Sequence, residues 1–224
     1  MVIGKSGSGK STSLHRFNAN EVGVFSCAGK RLPFRKRLKV AITRDYETIK
    51  EALTRNEMRA YVIDDSTYLM QFENFDRASE KGYDKYTQMA VHFKELLDAA
   101  KFTSPDTIVY FLMHPELDSL GNEKPKTIGK MLDEKLCVEG LFETVLTAKV
   151  ERGADNSVRY VFMTRPDGSG ITKSPYDPET GEHMLPAVMD NDLKAVDEAI
   201  RAWYGMAPID GTDAPAESIE IPFN

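Results

Sequence analysis

Apolar positions along the chain fall into short continuous runs separated by stretches of helical spacing. Residues 1–3 are an apolar stub and residues 22–27 a β-branched and aromatic run. Residues 38–43 form a weaker run, and 59–63 an apolar run closed by Asp64 and Asp65. Residues 107–113 are wholly apolar after Thr107 and end at His114. Runs of this length bounded by polar residues predict buried strands. Between them, residues 11–19, 46–56, 67–79 and 83–102 read as helices, with Ile49, Ala52 and Leu53 spaced as on one helical face. Helical spacing returns near 128–135 and over 193–204. Residues 142–150 and 158–164 alternate about a turn at 153–156, the pattern of a hairpin. Strands alternating with helices before a late β-hairpin predict an α/β domain with a mainly parallel sheet and helices on both faces.

Composition narrows the class. A chain of 224 residues suits one domain with a tail or insertion. With 41% hydrophobic and 29% charged residues it is an ordinary globular mix, which excludes collagen, coiled coil and wholesale disorder. No uncharged apolar run is long enough for a membrane helix, and the first residues lack the pattern of a secretory leader. Cys27 and Cys137 stand far apart, which argues against a disulfide scaffold or cysteine zinc site and fits a reducing compartment. A cytoplasmic protein with no membrane partner is expected. The net charge, 29 minus 35 or −6, excludes a uniformly basic nucleic-acid binder but not a local basic patch. Such a patch lies at 30–39, where Lys30, Arg31, Arg35, Lys36, Arg37 and Lys39 occur without an acidic residue. Residues 205–224 carry Asp210, Asp213, Glu217 and Glu220, three prolines and no basic residue. They are expected to be a disordered acidic tail, leaving 1–204 as the folded domain.

The strongest chemical signal is Gly4-Lys5-Ser6-Gly7-Ser8-Gly9-Lys10-Ser11-Thr12, which fits the phosphate-loop pattern at every fixed position. It follows a strand and precedes a helix, so glycine-permitted main-chain turns and a helix N-terminus would face ATP phosphates. Lys10 is expected at the β- and γ-phosphates, the Ser11 hydroxyl on Mg²⁺, and Thr12 near the α-phosphate. The preceding strand is short for a central parallel strand. Either the sheet tolerates a stub, or the natural start lies upstream of Met1. In a phosphate-loop fold a strand beside the loop's own strand delivers an Asp to Mg²⁺, and Asp64 has that placement. Asp65 is then placed to orient or deprotonate the attacking water. It could instead cap the helix that follows. Glu21 is a weaker candidate for the same role. His114, at the carboxyl end of a central strand, either senses the γ-phosphate or is a satisfied structural histidine. Beyond it Lys124, Lys126 and Lys130 cluster in a polar stretch that could grip a nucleic-acid backbone or be a plain solvated connection. In the 30–39 segment Phe34 offers a stacking face among cations, as single-stranded nucleic acid requires. The alternative is a loop anchored to the core by Leu32 and Phe34.

The loop, the Leu32-Pro33-Phe34-Arg35 stretch, Val62-Ile63-Asp64-Asp65, the strand ending at His114, Thr127-Ile128-Gly129-Lys130 and Thr172-Lys173-Ser174-Pro175 together resemble a known family. It is that of small RecA-like ATP-binding proteins of bacteriophages, some described as ATP-dependent single-strand annealing proteins of the Sak-four type. The resemblance covers most of the chain up to residue 180. It implies a RecA-like core, ATP binding with Mg²⁺, and a role in phage recombination or replication in the host cytoplasm. RecA-type proteins commonly set a basic residue of the late hairpin against the neighbouring subunit's γ-phosphate. That implies a homo-oligomer with ATP at the interface, and Arg165 or Lys173 in that role, unless they are surface charges on a turn. The expectation is a DNA-stimulated ATPase that binds single-stranded DNA. A nucleotide or small-molecule kinase and a nucleotide-gated module, such as a helicase loader or packaging accessory, are the alternatives. The acidic residues before Ile221-Pro222-Phe223 are similar to the partner-recruiting tip of bacterial single-strand-binding proteins, so the tail is a candidate protein-partner element.

Overall fold

The computed structural model describes residues 1–119, 121–166 and 171–210. In chain order these form β1 (Val2–Ile3), a 3-10 helix (Ser11–Arg16), β2 (Val22–Ser26), β3 (Lys39–Ile42), α1 (Tyr46–Arg55), β4 (Ala60–Asp64) and α2 (Thr67–Asp76). There follow α3 (Asp84–Lys101), β5 (Ile108–Met113), β6 (Pro115–Leu117), β7 (Glu123–Pro125), α4 (Lys130–Glu134) and a 3-10 turn (Val138–Leu141). The last elements are β8 (Leu146–Arg152), β9 (Val158–Met163), β10 (Val188–Asp190) and α5 (Leu193–Tyr204).

Eight strands make one sheet in the order β10-β9-β8-β1-β5-β4-β2-β3. The pairings from β8 to β3 are parallel, and β9 and β10 add an antiparallel edge. Alternate residues feed two cores, one on each face. In β4, Tyr61 and Ile63 join α1, α2 and α3 on one face, while Ala60 and Val62 join the 3-10 helix and α5 on the other. The same alternation in β2 and β5 explains their unbroken apolar runs: both faces are covered, as in parallel sheets generally. This is an α/β fold with a mainly parallel sheet and helices on both faces.

Strand order corrects one expectation. The strand ending in Asp64 is not beside the loop's strand, because β5 lies between β1 and β4. The carboxyl ends of β1, β5 and β4 therefore bring the loop, His114 and Asp64 to one edge in that spatial order. The β1 stub pairs with β5 on one side and β8 on the other, and the Gly4 N–H extends the ladder to the Met113 carbonyl at 3.2 Å.

Local departures from the sequence pattern have physical causes. The helix expected over 11–19 is a 3-10 helix ending at Arg16. Leu14 and Phe17, both fully buried, are three apart, which matches three residues per turn. A small hairpin, β6 with β7, stands in the expected polar loop; the Asp118 carboxylate accepts from the Asn122 N–H and closes its turn. The first residues of the expected tail pack on the body instead. Ala207 N–H donates to Asp106 and Ile209 is buried, so order extends past 204. The rest of that tail, residues 211–224, lies outside the described residues, as does the glycine-rich stretch 167–170. Among the described residues no helix is long and apolar enough to cross a membrane.

Candidate nucleotide site

The loop between β1 and the 3-10 helix is shaped by its glycines. Gly7 and Gly9 sit at φ 81° and 92°, conformations that only glycine adopts freely. The amides of Gly7, Gly9 and Lys10 make no main-chain hydrogen bond among the described residues. Ser8 Oγ is buried and unpartnered. Lys10 is buried, and its ammonium donates to the Gly4 carbonyl at 2.6 Å and the Lys5 carbonyl at 3.3 Å. Burial lowers the Lys10 pKa, opposed by the charges of Asp65 and Asp64. A lysine ammonium on the same loop as amides that have no main-chain partner is the chemistry of an anion cradle.

Two carboxylates close the site. Ser11 Oγ donates to Asp64 Oδ1 at 2.9 Å, across the width of the intervening β5. Burial, then the charge of Asp65, pushes the Asp64 carboxyl up to about 6. A hydroxyl and a buried carboxylate in contact fit the protein share of a Mg²⁺ shell, which takes one or two side-chain oxygens and fills the rest with phosphate and water. Asp65 follows at φ 57°, a left-handed conformation uncommon for a non-glycine residue. Its side chain caps nothing: α2 starts without a side-chain cap. Instead Asp65 Oδ2 accepts from Lys30 Nζ at 2.9 Å, and Oδ1 lies 3.2 Å from His114 Nε2. The histidine contact is close but off the hydrogen-bond axis, which leaves Nε2 without an aligned partner. Burial works to raise the Asp65 carboxyl, yet His114 and Lys30 outweigh it and hold it at about 2. Tyr68 props both partners, edge-on to the His114 ring and 5.2 Å below the Lys30 ammonium.

The remaining predicted residues disperse. Thr12 is exposed at the start of the 3-10 helix. Arg31, Arg35, Lys36 and Arg37 are exposed, while Leu32 and Phe34 are half-buried against the α5-side core. Phe34 thus anchors its loop. Lys124 pairs with Glu116 at 3.5 Å and Lys130 with Glu134 at 3.9 Å, and Lys126 is half-buried. Arg165 donates to the Leu185 carbonyl, and Lys173 exchanges main-chain hydrogen bonds with Val145. Both stand at the amino ends of the parallel strands, across the sheet from the loop of their own chain. Glu21 stands at that far edge too, buried and paired with Lys194 at 2.8 Å.

Two residues at the loop carry no sequence signal. Asn191 Nδ2 donates to the Gly9 carbonyl at 2.8 Å, and its buried Oδ1 is unpartnered. Tyr160, in β9, lies where a Cβ on Gly9 would meet its ring at 2.9 Å. Asn191 belongs to no motif, and only the closing of β10 onto β9 brings it here.

The loop, its two carboxylates and the strand order decide the class. This is an α/β fold with a P-loop at the carboxyl edge of a mainly parallel sheet. No protein-family model matches the chain, and no curated protein does. Among solved structures it is similar to the ATPase DotB of Legionella pneumophila, with a TM-score of 0.38 and 12% identity. That likeness covers 72% of this chain and 43% of DotB, so the chain spans less than half of that protein's length. The loop geometry and strand order, not this distant likeness, establish the class.

Proposed function

We propose that the protein binds and hydrolyses ATP with Mg²⁺, binds single-stranded DNA, and supports annealing or strand exchange in phage recombination or replication. The observation that carries the ATP part is the contact of Ser11 with Asp64 beside Lys10, with Asp65 next in the chain. In this reading the loop amides and Lys10 hold the phosphates and Ser11 and Asp64 hold Mg²⁺. The ion supplies charge neutralisation for the phosphate oxygens. Asp65 orients the attacking water and accepts its proton, with His114 fixing the carboxylate. The DNA part is supported by the exposed cations Arg31, Arg35, Lys36 and Arg37, which continue directly from the site through Lys30. Two copies would place Arg165 or Lys173 of one against the nucleotide of the next.

One observation favours a second reading, a nucleotide-gated interaction module. Both Asp65 oxygens are engaged by cationic or polar neighbours, an arrangement suited to slow turnover. Binding of ATP with Mg²⁺ by calorimetry, followed by fluorescence binding of an oligothymidylate, tests the proposal. Lys10→Ala is expected to abolish the first. Replacing Arg35, Lys36 and Arg37 together by Ala is expected to weaken the second and lower its salt slope by about 2. Unaltered nucleotide binding in Lys10→Ala would overturn the site. Unaltered oligonucleotide binding in the triple variant would place nucleic acid elsewhere.

A further inference from the structure

Each Asp65 oxygen faces a neighbour that competes with water for it: Lys30 Nζ donates to Oδ2 at 2.9 Å, and His114 Nε2 lies 3.2 Å from Oδ1. The two neighbours differ in mobility. His114 is wedged: its main-chain N–H donates to Thr67 Oγ1 at 3.0 Å, its ring meets Tyr68 edge-on, and its side chain is mostly buried. Lys30 reaches in from solvent, with its side chain 59% exposed. Its main chain is held, since Ser26 Oγ donates to the Lys30 carbonyl at 3.0 Å. The ammonium can therefore swing away without disturbing the loop. Lys30 is also the first residue of the basic segment, followed by the exposed Arg31, Arg35, Lys36 and Arg37. A polyanion laid along these cations offers Lys30 phosphate oxygens in exchange for Asp65.

We propose that Lys30 is a latch: it occupies Asp65 Oδ2 in the free protein, and a nucleic-acid backbone on the 30–37 segment draws it off and releases the carboxylate. This rests on the reading above that the segment binds nucleic acid. Binding and release then form one coupled equilibrium. By linkage, removing the Asp65 charge must tighten oligonucleotide binding, because Lys30 no longer has to be detached.

The test is a double-mutant cycle on oligothymidylate affinity, measured without nucleotide, with Asp65→Asn, Lys30→Met and the pair. Asn tolerates the left-handed conformation at position 65, and Met keeps an unbranched apolar stem at position 30 without the charge. Asp65→Asn is expected to tighten binding about threefold to fivefold, the scale of a partly exposed ion pair, and to do nothing in the Lys30→Met background. In parallel, Lys30→Met is expected to raise ATP turnover without DNA by a similar factor and to reduce its stimulation by DNA. Equal effects of Asp65→Asn in both backgrounds, or unchanged affinity, would overturn the latch. So would lower turnover in Lys30→Met, which would make Lys30 a stabiliser of the reacting phosphate. If the parental chain itself binds no oligonucleotide, the DNA reading falls before any variant is made, and the latch falls with it.

Discussion

At Asp65 the main chain turns through φ 57° to carry two successive carboxylates in different directions, one to Ser11 and one to Lys30 and His114. Strain of this kind persists where surrounding contacts hold it, and here the Ser66 amide and hydroxyl both donate to the Leu112 carbonyl. The motif residues of the loop and the paired aspartates were legible as sequence. Their chemistry is local, and glycine, lysine and carboxylate types at fixed spacing admit few other uses. Lys30 was legible only as a member of a charged run; that it turns inward to Asp65 depends on tertiary packing. Asn191 was not legible at all, since a lone Asn between two aspartates carries no pattern. It nevertheless holds the Gly9 carbonyl. Asn191→Ala is expected to weaken ATP binding about fivefold, the worth of one hydrogen bond, with the fold retained. Titration calorimetry reads the first and circular dichroism the second.

At the scale of elements, the parallel strands could be read because burial on both faces leaves continuous apolar runs. The elements that escaped are short ones fixed by partners rather than by pattern. β10 has three residues and exists by pairing with β9, and the segment expected as an α-helix over 11–19 is a 3-10 helix ending at Arg16 that sends Leu14, and Phe17 just beyond it, into the core. The α5 start is tied to two neighbours, the 3-10 helix after the loop and the entry to β2. Asp192 accepts from the Lys194 and Ala195 amides as its cap and pairs with Arg16 of the 3-10 helix, while Lys194 pairs with Glu21 ahead of β2. Hydrogen bonds from Lys194 and Asn18 outweigh burial and keep the Glu21 carboxyl below its ordinary value of 4.5. A group depressed in the native state contributes stability above its unfolded pKa and loses it as pH falls through the native one. Glu21→Gln is therefore expected to cost about 2 kcal/mol at pH 7 and progressively less as pH falls below 4.5. Urea unfolding at pH 7 and pH 3 checks the sign: an equal cost at both would remove the ion pair as the cause.

Across the whole molecule, the nucleotide edge and the opposite edge of the sheet have separate duties. The opposite edge is a structural anchor. Asp197 is fully buried, accepts from Tyr110 at 2.8 Å and pairs with Arg201. Arg201 in turn donates to the Asp106, Ala207 and Arg59 carbonyls, which joins α5, the entry to β5 and residues after 204. Asp197→Ala would strand that guanidinium and is expected to cost about 3–5 kcal/mol in chemical unfolding, while Asp197→Asn, which keeps an acceptor, costs less. The nucleotide edge instead gathers β1, β5, β4 and the β2–β3 connection, so that the proposed ATP site and the basic segment meet at one residue, Lys30. The most direct measurement of that union is ATP hydrolysis by the purified protein with and without single-stranded DNA, using Lys10→Ala as the blank. Turnover stimulated by single strands and lost in the variant is the predicted result. Turnover indifferent to DNA, or none at all, would contradict the coupling and move the protein to a kinase or a nucleotide-gated module.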